Sequence, residues 1–157
     1  VNNPRLKDQH INAIKGNYGK HPFFKEVFPL IEHFYSIPEN RIAIRNQWFI
    51  EEVSKRLDIL KPVFNSASMN CELASNELLI EICKKIGADK YVYGSGSLNY
   101  LNEELWIQND ITLIPQSFEH TQYQQFNSDI FFPGLSIIDV LMNLGFEQTK
   151  ILFKKNS

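Results

Sequence analysis

With 157 residues, 43% of them hydrophobic and 22% charged, the chain has the composition of one ordinary globular domain. At this length folding buries roughly 68–70% of the unfolded surface, enough for a core without disulfide or metal support. The formal net charge of −2 excludes the basic excess of a phosphate-backbone binder, so nucleic acid is not an expected partner. No stretch reaches the ~18 to 20 unbroken apolar residues of a membrane span, and the first residues lack the basic-then-apolar order of a secretory signal; a cytoplasmic setting is expected. Cys71 and Cys83 have neither redox-pair nor zinc-pair spacing, and His10, His21, His33 and His120 are scattered. We therefore expect no metal and no cofactor, and reduced thiols.

No repeat, low-complexity tract or linker interrupts the chain, which reads as a single domain over residues 1–157. Pro4 opens a helix running to about Tyr18, weakened or ended by Gly16 and Gly19. A second helix starts near Pro22 and aligns Phe24, Val27, Phe28, Ile31 and Phe34; Pro29 should kink it. The third, from Glu39 or Asn40 to Leu60, carries Ile42, Phe49, Val53, Leu57 and Leu60 on its apolar side. Glu51 with Lys55 and Glu52 with Arg56 form i,i+4 pairs on the other side. A short strand is expected at Lys61-Pro62-Val63-Phe64, then a helix from about Ser75 that buries Leu79, Ile82, Cys83 and Ile86 and ends at Gly87.

Lys90-Tyr91-Val92-Tyr93 reads as a strand, Gly94-Ser95-Gly96-Ser97 as a tight turn, Leu98, Leu101 and Leu105 as a helical stripe, and Ile111-Thr112-Leu113-Ile114 as a second strand. That order is the minimal parallel βαβ unit, so the expected fold is a helix-rich α/β protein with a small parallel sheet at about residues 90–114. Pro115 to Gly134 has no clean period and is rich in Gln and aromatics, which marks a functional irregular segment. A last helix begins at Ser136, and Phe146 to Lys155 continues as a short helix or a strand.

Three groups could carry chemistry. A glycine turn between strand and helix can present N–H groups and a helix dipole to a phosphate or carboxylate; its structural alternative is a plain turn capped by Ser97. Ser136 and Asp139 fit a capping box with Asp in the usual Glu position, with Leu135 and Val140 as its hydrophobic staple, although Asp139 could still face a cleft. Tyr123, Gln125 and His120 lie where a hydroxyl, amide or imidazole could orient a ligand or move a proton, or could be surface polarity. His10, among Leu6, Ile11 and Ile14, reads first as a core-edge histidine.

Several stretches together resemble the WbqC-like family of bacterial proteins, found among genes for lipopolysaccharide O-antigen and other polysaccharides. They are Tyr91 to Ser97 with Tyr100-Leu101, Tyr123 to Phe126, and Pro133-Gly134-Leu135-Ser136-Ile137-Ile138-Asp139-Val140 through Gly145. Upstream, His10, Ile14, Tyr18, Pro22, Phe23 and Phe24 match a family segment in which Leu6 here replaces a tryptophan. Asn46 and the serines Ser66 and Ser68 also correspond. Family members normally carry an earlier strand and a His-Gln-Pro-x-Tyr-type motif that does not precede Val1, so the chain is expected to represent the later two-thirds of such a protein.

The resemblance implies a role in cell-surface polysaccharide biosynthesis, as a transferase modifying a nucleotide- or lipid-linked sugar. It favours Gly94 to Ser97, Tyr123 and Gln125 as ligand contacts, and Ser136 and Asp139 less, since a cap can recur for structural reasons. The expected ligand contacts are then Gly94, Ser95, Gly96, Ser97, Tyr100, Gln125 and Ser136, and the catalytic candidates Asp139, Tyr123 and His10. The expected partner is an anionic small molecule such as a nucleotide-sugar, held at the glycine turn while Tyr123, Gln125 and Asp139 orient the acceptor. The alternative is a noncatalytic binding or scaffold module of a polysaccharide-assembly complex, touching other assembly proteins through its aromatics.

Overall fold

The computed structural model describes residues 4–39, 41–97 and 99–154. They form α1 (Pro4–Tyr18), α2 (Phe24–Ser36), α3 (Ile42–Arg56), α4 (Ser75–Lys85), β1 (Lys90–Tyr93), α5 (Glu103–Ile107), β2 (Thr112–Pro115) and α6 (Ile137–Lys154). This is the helix-rich α/β arrangement expected, with β1 and β2 paired in parallel from Lys90 opposite Thr112 to Tyr93 opposite Pro115. The described residues divide into two compact units: one comprises those up to Lys61 with those from His120 onward, the other Pro62–Glu119. Val1 and Lys155 lie outside the described residues, as do Asn40, an expected start of the third helix, and Leu98 of the expected leucine stripe.

In the first unit the three- and four-residue spacing in α2 buries Val27, Phe28, Leu30 and Ile31 against Val53, Leu57, Leu141, Met142 and Phe146. Each such side chain contributes about 1.5–3 kcal/mol on leaving water. Pro29 lies on the exposed side of α2. Helix α3 stops at Arg56 and not at Leu60, because Asp58 turns to a left-handed φ of 57° and the Ile59 N–H bonds back to Ser54. Leu60, expected on the apolar side, is consequently exposed; Ile42, at the other end of the helix, is exposed as well. Glu52 pairs with Arg56 at 2.7 Å as expected, whereas Glu51 accepts from Gln47.

Helix α6 is two helices joined at Gly145, whose φ of 69° and ψ of 178° are open essentially to glycine alone. A Cβ there would lie 2.5 Å from the Phe23 ring. The break also lets the Phe23 N–H donate to the Met142 carbonyl at 3.1 Å, which ties the segment before α2 to α6.

Lys61 to Phe64 forms no strand; Val63 and Phe64 of the second unit are exposed, and no strand among the described residues pairs with their backbone. Helix α4 ends through Ile86 and Gly87, which takes a φ of 70°. Its buried side chains are Ile80 and Cys83, while Ile86 points outward. Trp106 of α5 is fully buried, stacks on Tyr91 and donates its indole N–H to Asn76 at 2.9 Å. Asn76 also accepts from the Asn102 N–H and donates to the Tyr100 carbonyl, so one amide fixes the approach to α5.

Two expected outcomes test these features by denaturant titration. Gly145→Ala should lose roughly 3 kcal/mol or more, because a strained backbone and an overpacked ring each cost about 1–3 kcal/mol. Asn76→Leu should cost about 2 kcal/mol by leaving the Trp106 indole N–H unsatisfied. A change below 0.5 kcal/mol, on the order of an ordinary surface substitution, would contradict either assignment.

Candidate functional site

The first turn of α6 places Asp139 inside the first unit, 6% exposed, near the positive end of the helix. Ser136 precedes it as the cap: its Oγ accepts from the Ile138 N–H at 3.3 Å and its carbonyl from the Asp139 N–H. The capping box is thus half present. Asp139 turns its carboxyl into the unit, where Oδ2 accepts from the Tyr123 hydroxyl at 2.6 Å and from Asn143 Nδ2 at 3.2 Å. The Tyr18 hydroxyl is near enough for the Asp139 charge to act on it.

Asn143, one turn beyond Asp139, is oriented by donating to the Asp139 carbonyl at 2.8 Å, and its Oδ1 accepts from the Phe126 N–H at 2.6 Å. That bond draws the irregular segment onto α6. Gln125 is buried and clips the segment to itself: its Nε2 donates to the Phe132 carbonyl at 3.0 Å and its Oε1 accepts from the Phe132 N–H at 2.9 Å. Its amide also lies 3.4 Å from the Tyr123 hydroxyl, so Gln125 positions Tyr123.

His21 completes the cluster. Its ring packs between Tyr18 and Phe126, each 4.8 Å away between centroids, and its Nδ1 is buried without a partner among the described residues. Burial pushes the imidazole below its ordinary pKa, against the raising influence of the Asp139 charge and of the Tyr18 carbonyl. Burial pushes the Tyr123 phenol up to about 12, helped by its bond to Asp139. Tyr18 is raised for the same first reason, with Asp139 adding to it. Tyr123 therefore keeps its proton at neutral pH, and an open polar cavity of about 670 Å³ lies alongside it.

The structure brings Asp139, Tyr123 and Gln125 together and puts Ser136 at the helix end beside them. His10 is elsewhere: exposed on α1, with Nδ1 2.9 Å from the Tyr35 hydroxyl. Gly94 to Ser97 and Tyr100 belong to the second unit. There the backbone forms a single 3-10 turn over Ser95–Ser97, closed by the Ser97 N–H on the Gly94 carbonyl. The expected helix does not follow directly: α5 begins only at Glu103, after an extended Asn102, so its dipole does not reach the turn. The Ser95 side chain lies outside what is described. Gly94 and Gly96 have no left-handed φ, and an added Cβ would meet nothing at either, so neither is glycine for a local backbone reason. The Tyr100 ring is exposed. Tyr18, His21 and Asn143 are not singled out by the sequence reading; only the i,i+4 spacing of Asp139 and Asn143 signals one of them.

A helical unit whose broken last helix buries a tyrosine-bonded aspartate, with a second unit holding a two-stranded parallel sheet, defines an α/β protein with a built polar centre. The chain belongs to the WbqC-like protein family, whose profile matches residues 1–151. It is also similar to Uncharacterized protein Rv1507c of Mycobacterium tuberculosis, at 23% identity over 141 residues covering 88% of this chain. The chain spans 60% of that relative's length. No solved structure matches it. Among the described residues no helix is long and apolar enough to cross a membrane.

Stability should depend on pH at both ends of the range. His21 has a lowered folded pKa, so its contribution is complete above the unfolded value of about 6.5 and is lost as pH falls below it. Tyr123 has a raised one, so its contribution is complete below about 10 and is lost as pH rises from there towards about 12. Denaturation midpoints measured from pH 5 to 12 should show both slopes. His21→Phe should weaken the acid slope and Tyr123→Phe the alkaline one; unchanged slopes would contradict the burial of either ring.

Proposed function

We propose that the chain acts in the biosynthesis of bacterial cell-surface polysaccharide, in the cytoplasm, as a transferase modifying a nucleotide- or lipid-linked sugar. Family membership supports the polysaccharide setting. The observation that carries the transferase reading is the Tyr123 hydroxyl held 2.6 Å from the buried Asp139 carboxyl beside an open cavity. As an acceptor hydroxyl or amine attacks the activated donor, its proton passes to Tyr123 Oη while the phenol proton passes to Asp139 Oδ2. The leaving group departs with the electron pair of the broken bond. Gln125 and Asn143 hold the two residues in line, and His21, kept neutral by burial, adds no charge to compete for the proton.

The Gly94–Ser97 turn is read separately, as an anion contact of the second unit, supported by two glycines with open space in front of them. A noncatalytic partner-binding reading also has support, in the exposure of Ile130, Phe132 and Leu135.

A thermal-shift screen of nucleotide-sugars, with nucleotide release measured alongside, tests the proposal. A ligand at 100 times its dissociation constant should stabilise by about 2.7 kcal/mol. Gly96→Trp should abolish that shift without loss of folding. Tyr123→Phe should keep binding and lower release by about 100-fold or more. Absence of stabilisation by every nucleotide-sugar, with capture of an assembly protein lost on Phe132→Ser, would favour the noncatalytic reading.

A further inference from the structure

We infer that the cavity beside Tyr123 is a subsite for a sugar ring that carries no phosphate, recognised through hydroxyl and acetamido groups; this rests on the reading of Tyr123 and Asp139 as the reacting pair. The cavity, about 670 Å³, is lined by Gln122, Tyr123, Gln124, Ser128, Asp129 and Phe131 among others, a volume in the range of small-molecule sites.

Hydrogen-bond complementarity favours a sugar ring. A carboxamide both donates and accepts, as does a sugar hydroxyl or acetamido group. Gln122 and Asp129 are exposed, and their side chains make no hydrogen bond among the described residues. Gln124 commits its Nε2 to the carbonyls of Gln125 and Ser128, which fixes the side chain and leaves Oε1 as an acceptor. The Tyr123 hydroxyl, donating to Asp139, retains a lone pair for an incoming proton.

Charge favours a ring without phosphate. No Lys or Arg is among the described residues lining the cavity, Asp129 stands on its rim, and Asp139 lies behind Tyr123. A phosphate placed there would meet negative charge with no cation to offset it. A neutral ring meets no such opposition. Phe131, edge-on to Tyr123 at 5.3 Å, supplies an apolar wall for the C–H face of a pyranose.

Titration calorimetry on this chain tests the subsite with the methyl glycoside of N-acetylglucosamine and its 6-phosphate as probes. The glycoside should bind, and the phosphate at least 10-fold more weakly. Gln122→Ala and Asp129→Ala should each weaken glycoside binding several-fold with unchanged melting temperature, since both side chains are exposed. Asp129→Lys should reverse the order of the two probes. No glycoside binding, tighter binding of the phosphate to the unaltered chain, or indifference to both alanine variants would overturn the inference. Loss of nucleotide release in Tyr123→Phe without glycoside binding would overturn the subsite alone. Glycoside binding with release unaltered in Tyr123→Phe would support the subsite and overturn the catalytic reading.

Discussion

A carboxyl group buried in a protein must be given hydrogen-bond donors, and in this chain that requirement organises the first unit around Asp139. An unpartnered buried charge would cost several kcal/mol, more than most single packing contacts return. Tyr123 and Asn143 answer it from two separate segments, the irregular segment after β2 and α6 itself. Satisfying one carboxyl therefore fixes where those segments lie. Through Asn143 and the Phe126 N–H it also fixes the path of the loop that borders the cavity.

The break at Gly145 serves the same arrangement. A continuous α6 would hold the Met142 carbonyl in its own ladder; the glycine conformation leaves that carbonyl to the Phe23 N–H, two residues after His21. Thr149 then closes the second half of the helix on the Gly145 carbonyl. Packing beneath is ordinary, with Leu141, Met142, Phe146 and the α2 side chains excluding water. Excluding water keeps the Tyr123 proton in place and the His21 ring neutral, because low local polarity disfavours the charged form of each.

The elements with regular apolar spacing were legible in the sequence. Helix α1, helix α2 and the strand pair follow from period and punctuation, the second strand lying at Thr112–Pro115, one residue beyond the expected 111–114, and Ser136 is a recognisable cap. What the sequence leaves open is decided by tertiary hydrogen bonds. Asp139 has the position of a capping-box acid, and nothing local says that its carboxyl turns inward. Lys61 to Phe64 has strand-like residues and no partner strand among the described residues. The glycine turn is a 3-10 turn with α5 displaced to Glu103, because Asn76 holds the Tyr100 carbonyl and the Asn102 N–H in an extended approach. Tyr18 and His21 join the site from more than 100 residues away, a separation that no spacing rule spans.

Two chemical demands are kept apart in the proposed function. The Asp139 cluster is proposed to move a proton beside a cavity whose described lining holds no Lys or Arg, which suits a neutral acceptor, and anion recognition is proposed for the other unit. All of this depends on the Tyr123 phenol being bonded to Asp139 and withdrawn from water. Titration of tyrosine ring carbons by NMR, assigned with Tyr123→Phe, measures that state directly. The account predicts that Tyr123 titrates at about 12 and that Asp139→Asn brings it down. A Tyr123 that titrates near the ordinary value of 10, unmoved by Asp139→Asn, would contradict it.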